Sequence, residues 1–256
     1  MNLTVVPAGR TSTRPDTVPF LRLVRIEWRK GSDTRAARWM LAVIAVLTAG
    51  ATSVPLLLPK QFEQTWLAFL SPAALVLALL LPVVSILALT SEWGQRSVLV
   101  TFTQEPRRVR VLAAKVLSGI ALSLLGAAYA VAVTAAALAL SDALGRQVNW
   151  HLPGRYVVGF VVFVLLNSLM GMAFGALLLN TPAAIVLFFV LPTAWTLLSY
   201  GWLKEVGKWL DTAQTFRYVL EAEWHGHTGQ ILVSIGFWIV TPLALGAVRT
   251  MRREVS

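Results

Sequence analysis

The chain contains no cysteine in its 256 residues. That excludes disulfides, thiolate metal sites and cysteine nucleophiles. Charge is scarce as well: Asp, Glu, Lys and Arg make up 13% of the chain, against about 25% in a soluble globular domain. The AVILMFWYC set makes up 57%, and mean hydropathy is +0.69. So few polar groups cannot cover the surface of a soluble protein, so water is excluded as the sole solvent. Acidic residues are the rarer sign, 12 against 22 Lys and Arg, leaving a formal charge of +10. In a soluble chain this excess would point to nucleic acid. Here its meaning depends on where the charges sit.

Several catalytic signatures are also missing. There is no Gly-x-x-x-x-Gly-Lys-Ser/Thr phosphate loop, so the chain is not expected to hydrolyse nucleotide by itself. Neither Gly-x-Ser-x-Gly nor His-Glu-x-x-His occurs.

What the sequence has in abundance is long apolar runs. Six of them, at 39–58, 67–90, 116–140, 156–179, 183–203 and 230–248, contain no Asp, Glu, Lys, Arg or His. A bilayer core of about 30 Å needs about 20 helical residues. The predicted fold class is therefore an all-α integral membrane protein with six transmembrane helices. The spans hold no ionisable group of the kind that proton- or sodium-driven transporters place there. Six spans without internal energy coupling read as a subunit that borrows its energy.

Orientation follows from the basic residues. With the N-terminus inside, the inner pieces 1–38, 91–115, 180–182 and 249–256 hold 16 Lys and Arg, and the outer pieces hold 6. Glu205, Asp211, Glu221 and Glu223 all fall outside. Both termini are thus expected in the cytoplasm, at a plasma membrane. The positive charge reads as topology plus attraction to anionic lipid, with no nucleic-acid partner. The first apolar run begins at Trp39, behind eight basic residues. Residues 1–16 therefore read as a flexible cytoplasmic tail rather than a secretory signal.

Segment 17–35 is predicted to be an amphipathic helix in the inner interface, followed by the six-helix domain over 36–256. Across 18–30, Phe20, Leu21, Leu23, Val24 and Trp28 share one broad face, and Arg22, Arg25 and Arg29 lie opposite. Glu27 falls inside the apolar arc. It either snorkels or meets a protein partner.

The piece between the second and third spans is too long and too apolar for a bare connection. Ser91 is a fair N-cap, with Glu92 in the first turn, and Pro106 bars clean continuation. A short helix over about 92–103 is expected, with Val98, Leu99 and Phe102 on its apolar side. Arg107, Arg108, Arg110 and Lys115 follow as a basic collar. Asn180-Thr181-Pro182 makes a tight turn between spans four and five, with Asn180 or Thr181 as cap. The outer piece 204–229 alternates apolar and charged residues as two short helices resting in the outer interface would. Pro82 and Pro192 are placed to kink spans two and five. Asn167, Gly171 and Gly175, at four-residue spacing, read as a helix-packing stripe.

These features together resemble the permease subunit of a type-2 ABC exporter of the actinobacterial kind. The resemblance rests on Arg25-Ile26-Glu27-Trp28-Arg29-Lys30 before the first span. It rests also on Glu92-Trp93-Gly94, Phe102, Pro106-Arg107-Arg108 and Lys115 between spans two and three, and on Pro242, Gly246, Arg249 and Arg252-Arg253-Glu254-Val255 at the end. The chain departs from many members at Arg96-Ser97, where they carry Gly-Thr. The resemblance implies two permease subunits, identical or related, around a central path, and two cytoplasmic ATPase subunits that hold ATP and magnesium. No cofactor is implied on this chain. It further implies that Glu92, Trp93, Gly94, Arg96, Val98, Leu99 and Phe102 couple to the ATPase, with Glu27 on the connecting helix beside them. Spans two and five would line the path. In span five, Thr193, Thr196 and Tyr200 lie within about 60° on a helical wheel, flanked by Trp195 and Ser199. They offer hydroxyls and aromatics to an amphiphilic substrate, although span Ser and Thr also commonly bond backbone carbonyls.

Two other classes compete. A non-transporting anchor or adaptor would share the partner-binding loop but tolerate Leu or Phe at 193, 196 and 200. An integral-membrane enzyme would use His225, His227, Glu221 and Glu223 on the outer piece. Two histidines and carboxylates on a loop are more commonly solvated, so no metal is expected there.

Overall fold

An apolar run in lipid must satisfy its own backbone, and a helix does so within one segment. The structure, a computed structural model, describes residues 19–94, 107–200 and 204–252. These are helical with no strand, apart from one isolated bridge between Thr65 and Asn149. The helices are α1 (Phe20–Asp33), α2 (Arg35–Thr52), α3 (Val54–Leu57), α4 (Trp66–Gly94), α5 (Arg108–Ala143), α6 (Gly154–Leu178), α7 (Thr181–Tyr200), α8 (Lys204–Leu210), α9 (Thr212–Leu220), α10 (Thr228–Ile235) and α11 (Thr241–Arg252), with a π-helical turn at Gly236–Val240. Six helical stretches are long and apolar enough to cross a membrane: Arg35–Leu57, Trp66–Glu92, Arg108–Ala143, Gly154–Leu178, Thr181–Ser199 and Thr228–Arg252. The chain is an all-α, multi-pass membrane protein.

Helices α4 and α6 form the centre of the bundle, and small residues let them touch. A Cβ on Gly171 would sit 2.8 Å from the Pro82 carbonyl oxygen, and one on Gly175 would sit 3.4 Å from Ile86 Cα. Helix α11 approaches α6 in the same way, since a Cβ on Gly246 would lie 2.6 Å from the Ala176 backbone. Without side chains in the way, the helices gain dispersion contacts that lipid cannot offer. The span within α7, by contrast, is only 11% buried.

Two expectations at helix ends are corrected. Helix α4 runs unbroken through Gly94, so Ser91 is no N-cap and Glu92 lies in a last turn, not a first one. The preceding apolar run carries the helix through Ser91 and Glu92, both of which are half-buried. Helix α5 starts at Arg108, two turns ahead of the apolar run, so the basic collar is part of the third span's helix. The expected helix over 92–103 falls mostly on 95–103, outside the described residues, and Arg96, Val98, Leu99 and Phe102 with it.

Other expectations hold. The turn before α7 is capped by Asn180, whose Oδ1 accepts the Ala183 N–H at 3.0 Å. Leu179 closes α6 in the left-handed region at φ 51°. The outer piece folds as two short helices, α8 and α9. The last span differs in one respect, the π turn. There the Thr241 N–H donates to the Gly236 carbonyl five residues back, the Thr241 hydroxyl donates to the same oxygen at 2.8 Å, and Pro242, which has no N–H, follows directly.

Candidate functional site

The Glu27 side chain finds its partner within the chain. On α1, Leu23 and Glu27 lie one turn apart and both are buried. Leu23 packs on Val111 and Ala114 of α5, which brings Lys115, the next residue, against Glu27. Lys115 Nζ donates to Glu27 Oε2 at 2.7 Å and lies 3.2 Å from Glu92 Oε1. Lys30 Nζ completes the set at 2.9 Å from Glu27 Oε1 and 2.8 Å from Glu92 Oε1. Four charges summing to zero thus join α1, the end of α4 and the start of α5. Glu27 is 5% exposed and Lys115 8%. Each charge is compensated, as burial demands. Glu92 sits where the α4 dipole disfavours a carboxylate, and the two ammonium groups offset that. Burial alone would lower the Lys30 pKa, but its bonds to Glu92 and Glu27 outweigh this and hold it above its usual value.

The segment 95–106 is bracketed by this cluster, with Glu92 before it and Lys115 after it. Trp93 and Gly94 belong to the last turn of α4, and the placement of their side chains lies outside the described residues. Arg108 adds a further tie, donating from Nη1 to the Thr250 carbonyl at 2.9 Å and so linking α5 to α11.

At the other end of the bundle, α7, α8 and α9 fold back over α6. Asp211, 5% exposed, caps α9 and accepts the Ala213 and Gln214 N–H groups at 3.0 and 3.4 Å. It also accepts the Thr196 hydroxyl at 2.9 Å. Trp195 Nε1 donates to the Gly207 carbonyl at 3.1 Å, and Trp238 Nε1 to the Leu210 carbonyl at 2.7 Å. Phe216 and Val219 of α9 are buried in one cluster with Phe188 and Trp238. The outer piece is therefore built into the bundle rather than resting on an interface.

Between α4, α6, α7 and α9 lies a groove of about 400 Å³. Thr193 and Thr196 both line it, as does Asn167, with Phe163, Phe188 and Phe189 forming apolar walls. Pro82 and Pro192 have no N–H for the carbonyls four residues back, those of Ala78 and Phe188, and both of these residues also border the groove. The expected path residues thus divide. Thr193 donates to the Phe189 carbonyl at 2.7 Å and Ser199 to the Thr196 carbonyl at 2.8 Å, the backbone role open to any span hydroxyl. Trp195 and Thr196 tie α7 to α8 and α9. The Tyr200 side chain lies outside the described residues. Gly171 and Gly175 pack as expected, whereas Asn167 donates to the Phe163 carbonyl at 2.9 Å and borders the groove. Arg217 stands on the groove's rim, its Nε 4.0 Å from Glu221 Oε2.

His227 stacks on Tyr218, the ring centroids 3.8 Å apart. Among the described residues no three of His, Asp and Glu come together as a metal would need. The sequence pattern did not reveal Lys115 and Asp211 as buried charges, or Lys30 as a partner of Glu27 and Glu92. The signal for the two lysines was Glu27 itself: a carboxylate in an apolar arc requires a cation. For Asp211 it was the Asp-Thr-Ala-Gln run that opens α9.

Compared with known proteins, the chain matches no family model and no curated sequence.

Proposed function

We propose that the chain is the permease subunit of an ATP-driven type-2 ABC exporter. In this reading two permeases, identical or related, surround a path and two cytoplasmic ATPase subunits carry ATP and magnesium. The chain sits in the plasma membrane with both termini inside. It binds no cofactor and performs no hydrolysis of its own.

The four-charge cluster carries the reading. A partner that pushes on the segment 95–106 loads Glu92 on one side and Lys115 on the other. Both are ion-paired to α1 through Glu27 and Lys30. Movement of that segment therefore passes to three helices together. A bistable bundle biased by such a push is what ATP-driven alternation requires. Thr193 and Thr196 then face an amphiphilic substrate in the groove between α4 and α7.

The test is purification from the native membrane under gentle conditions, with vanadate-sensitive ATP turnover as readout. A stoichiometric partner bearing a Walker loop is expected. Glu92→Ala and Gly94→Pro should weaken coupled turnover while membrane insertion stays intact. Unchanged turnover in both, or a protein that emerges alone after crosslinking, overturns the reading. If Thr193, Thr196 and Tyr200 all accept Leu or Phe without loss of transport, the chain is an anchor rather than a path.

A further inference from the structure

Two grooves open on the bundle, and they differ in hydrogen-bonding character. One, of about 740 Å³ between α5 and the last span, is lined by apolar residues alone. The other, of about 400 Å³ between α4, α6, α7 and α9, sets Thr193, Thr196 and Asn167 among phenylalanines. The protons of both threonines are already committed. Thr193 donates to the Phe189 carbonyl at 2.7 Å, and Thr196 to Asp211 Oδ1 at 2.9 Å. A hydroxyl has one proton and two lone pairs. Both hydroxyls therefore offer the groove lone pairs only. Asn167 commits one amide N–H to the Phe163 carbonyl at 2.9 Å and keeps its own carbonyl oxygen as an acceptor.

Two backbone acceptors join them. Pro82 and Pro192 cannot supply the helical N–H that the Ala78 and Phe188 carbonyls would otherwise receive. Ala78 and Phe188 both line the groove. Among the described residues no side-chain donor reaches either carbonyl. A backbone carbonyl at membrane depth needs a donor, and burying it without one is costly. The donors of Thr212 and Arg217 belong to α9. The side of the groove built by α4 and α7 is thus rich in acceptors and poor in donors, between aromatic walls.

We propose that this groove selects its occupant by a hydrogen-bond donor: an amphiphile with an N–H or O–H on an aromatic body enters, and the same body with an ether oxygen there is rejected. The ether would set lone pairs against lone pairs and leave the freed carbonyls unpaired, and a site built to bond a donor discriminates strongly against an analogue lacking it. The inference rests on the reading of this groove as the substrate site and gives that substrate its class.

The test is equilibrium binding to the full-length protein in phosphatidylcholine nanodiscs, with empty nanodiscs correcting for partition. The probes are N-phenyl-1-naphthylamine, followed by its fluorescence, and 1-phenoxynaphthalene, followed by displacement of the amine. They share a shape and differ in N–H against ether oxygen. The amine should bind about tenfold tighter or more. Pro192→Ala returns an N–H to the Phe188 carbonyl, and Thr193→Val removes a hydroxyl. Each should lower the amine-to-ether ratio to roughly threefold, and Thr193→Ser should keep it near the parent value. Ala213→Trp fills the groove from an exposed position and should abolish amine binding. Absence of saturable amine binding, equal affinity for the two probes, or a ratio unmoved by both Pro192→Ala and Thr193→Val overturns the proposal. So does amine binding that survives Ala213→Trp. Binding needs no ATPase, so the two readings fail separately. A chain that purifies without a Walker-bearing partner yet keeps the preference loses only the exporter reading. A coupled exporter that binds both probes equally loses only this one.

Discussion

The two ends of the bundle are closed by different chemistry. At the Arg-rich end, α1, α4 and α5 meet through four full charges contributed by residues up to 88 positions apart. At the opposite end, α7, α8, α9 and the last span meet through neutral donors on backbone carbonyls and one capping carboxylate. The difference lies in how each junction fails. A neutral hydrogen bond contributes about 1 kcal/mol, and its loss is local. A buried ion cluster contributes little beyond an apolar equivalent, but losing one member strands the others at a cost of several kcal/mol. The charged end therefore behaves as an all-or-none joint and the neutral end as a graded one. An all-or-none joint next to the segment 95–106 suits transmission of a push. In the proposed exporter, a graded one would suit a groove that adapts to its contents.

The largest expected effect that sharpens this contrast is at Lys115. Lys115→Met leaves Glu27 and Glu92 facing each other with only Lys30 between them, and should cost about 3–5 kcal/mol. It should be read as a lowered thermal transition of the detergent-purified protein. Adding Glu27→Gln to Lys115→Met should recover much of the loss. A single variant as stable as the parent breaks the comparison.

Next in size is Gly159→Ala. The added Cβ would lie 2.4 Å from the Val219 carbonyl oxygen, forcing α9 off α6. Overpacking of this kind costs about 1–3 kcal/mol. Limited proteolysis should then cut faster within 204–229 while the Arg-rich end stays protected. Equal cutting at both ends would show that the ends are not independent.

Trp238→Phe should cost less, about 1 kcal/mol, by leaving the Leu210 carbonyl without its donor. Combined with Gly159→Ala it should be less than additive, because both loosen one junction. Full additivity, measured by denaturation, would mean that α8 and α9 dock separately.

The smallest effect concerns pH. Lys30 is held above its ordinary value of 10.5, so its contribution is complete below that pH and is lost as pH rises through the folded value. Stability of the parent should therefore fall above about pH 10.5 more steeply than that of Lys30→Gln. Lys30 is half-exposed, so solvent screening keeps the difference small. Parallel alkaline curves would remove Lys30 from the joint.

The six spans, the helix before them, the Asn180-Thr181-Pro182 turn and the pair of helices in 204–229 were all legible in the sequence by itself. Each is a local pattern: an apolar run, a 3.6-residue period, a cap or a proline. The α4 end was misread because Ser91-Glu92 carries a cap signature that the preceding apolar run overrode. What only the tertiary structure decided is which charges meet. Lys115 looked like surface collar because nothing near it in sequence says that Leu23 will pack on Val111 and Ala114 and draw Glu27 with it. The grooves have the same origin. Thr193, Asn167 and Phe216 come together only through the α6 and α9 packing that Gly159 permits. Periodicity fixes which face of a helix is apolar. The partner of that face is set by shape and charge across helices far apart in the chain, and that is where the site is made.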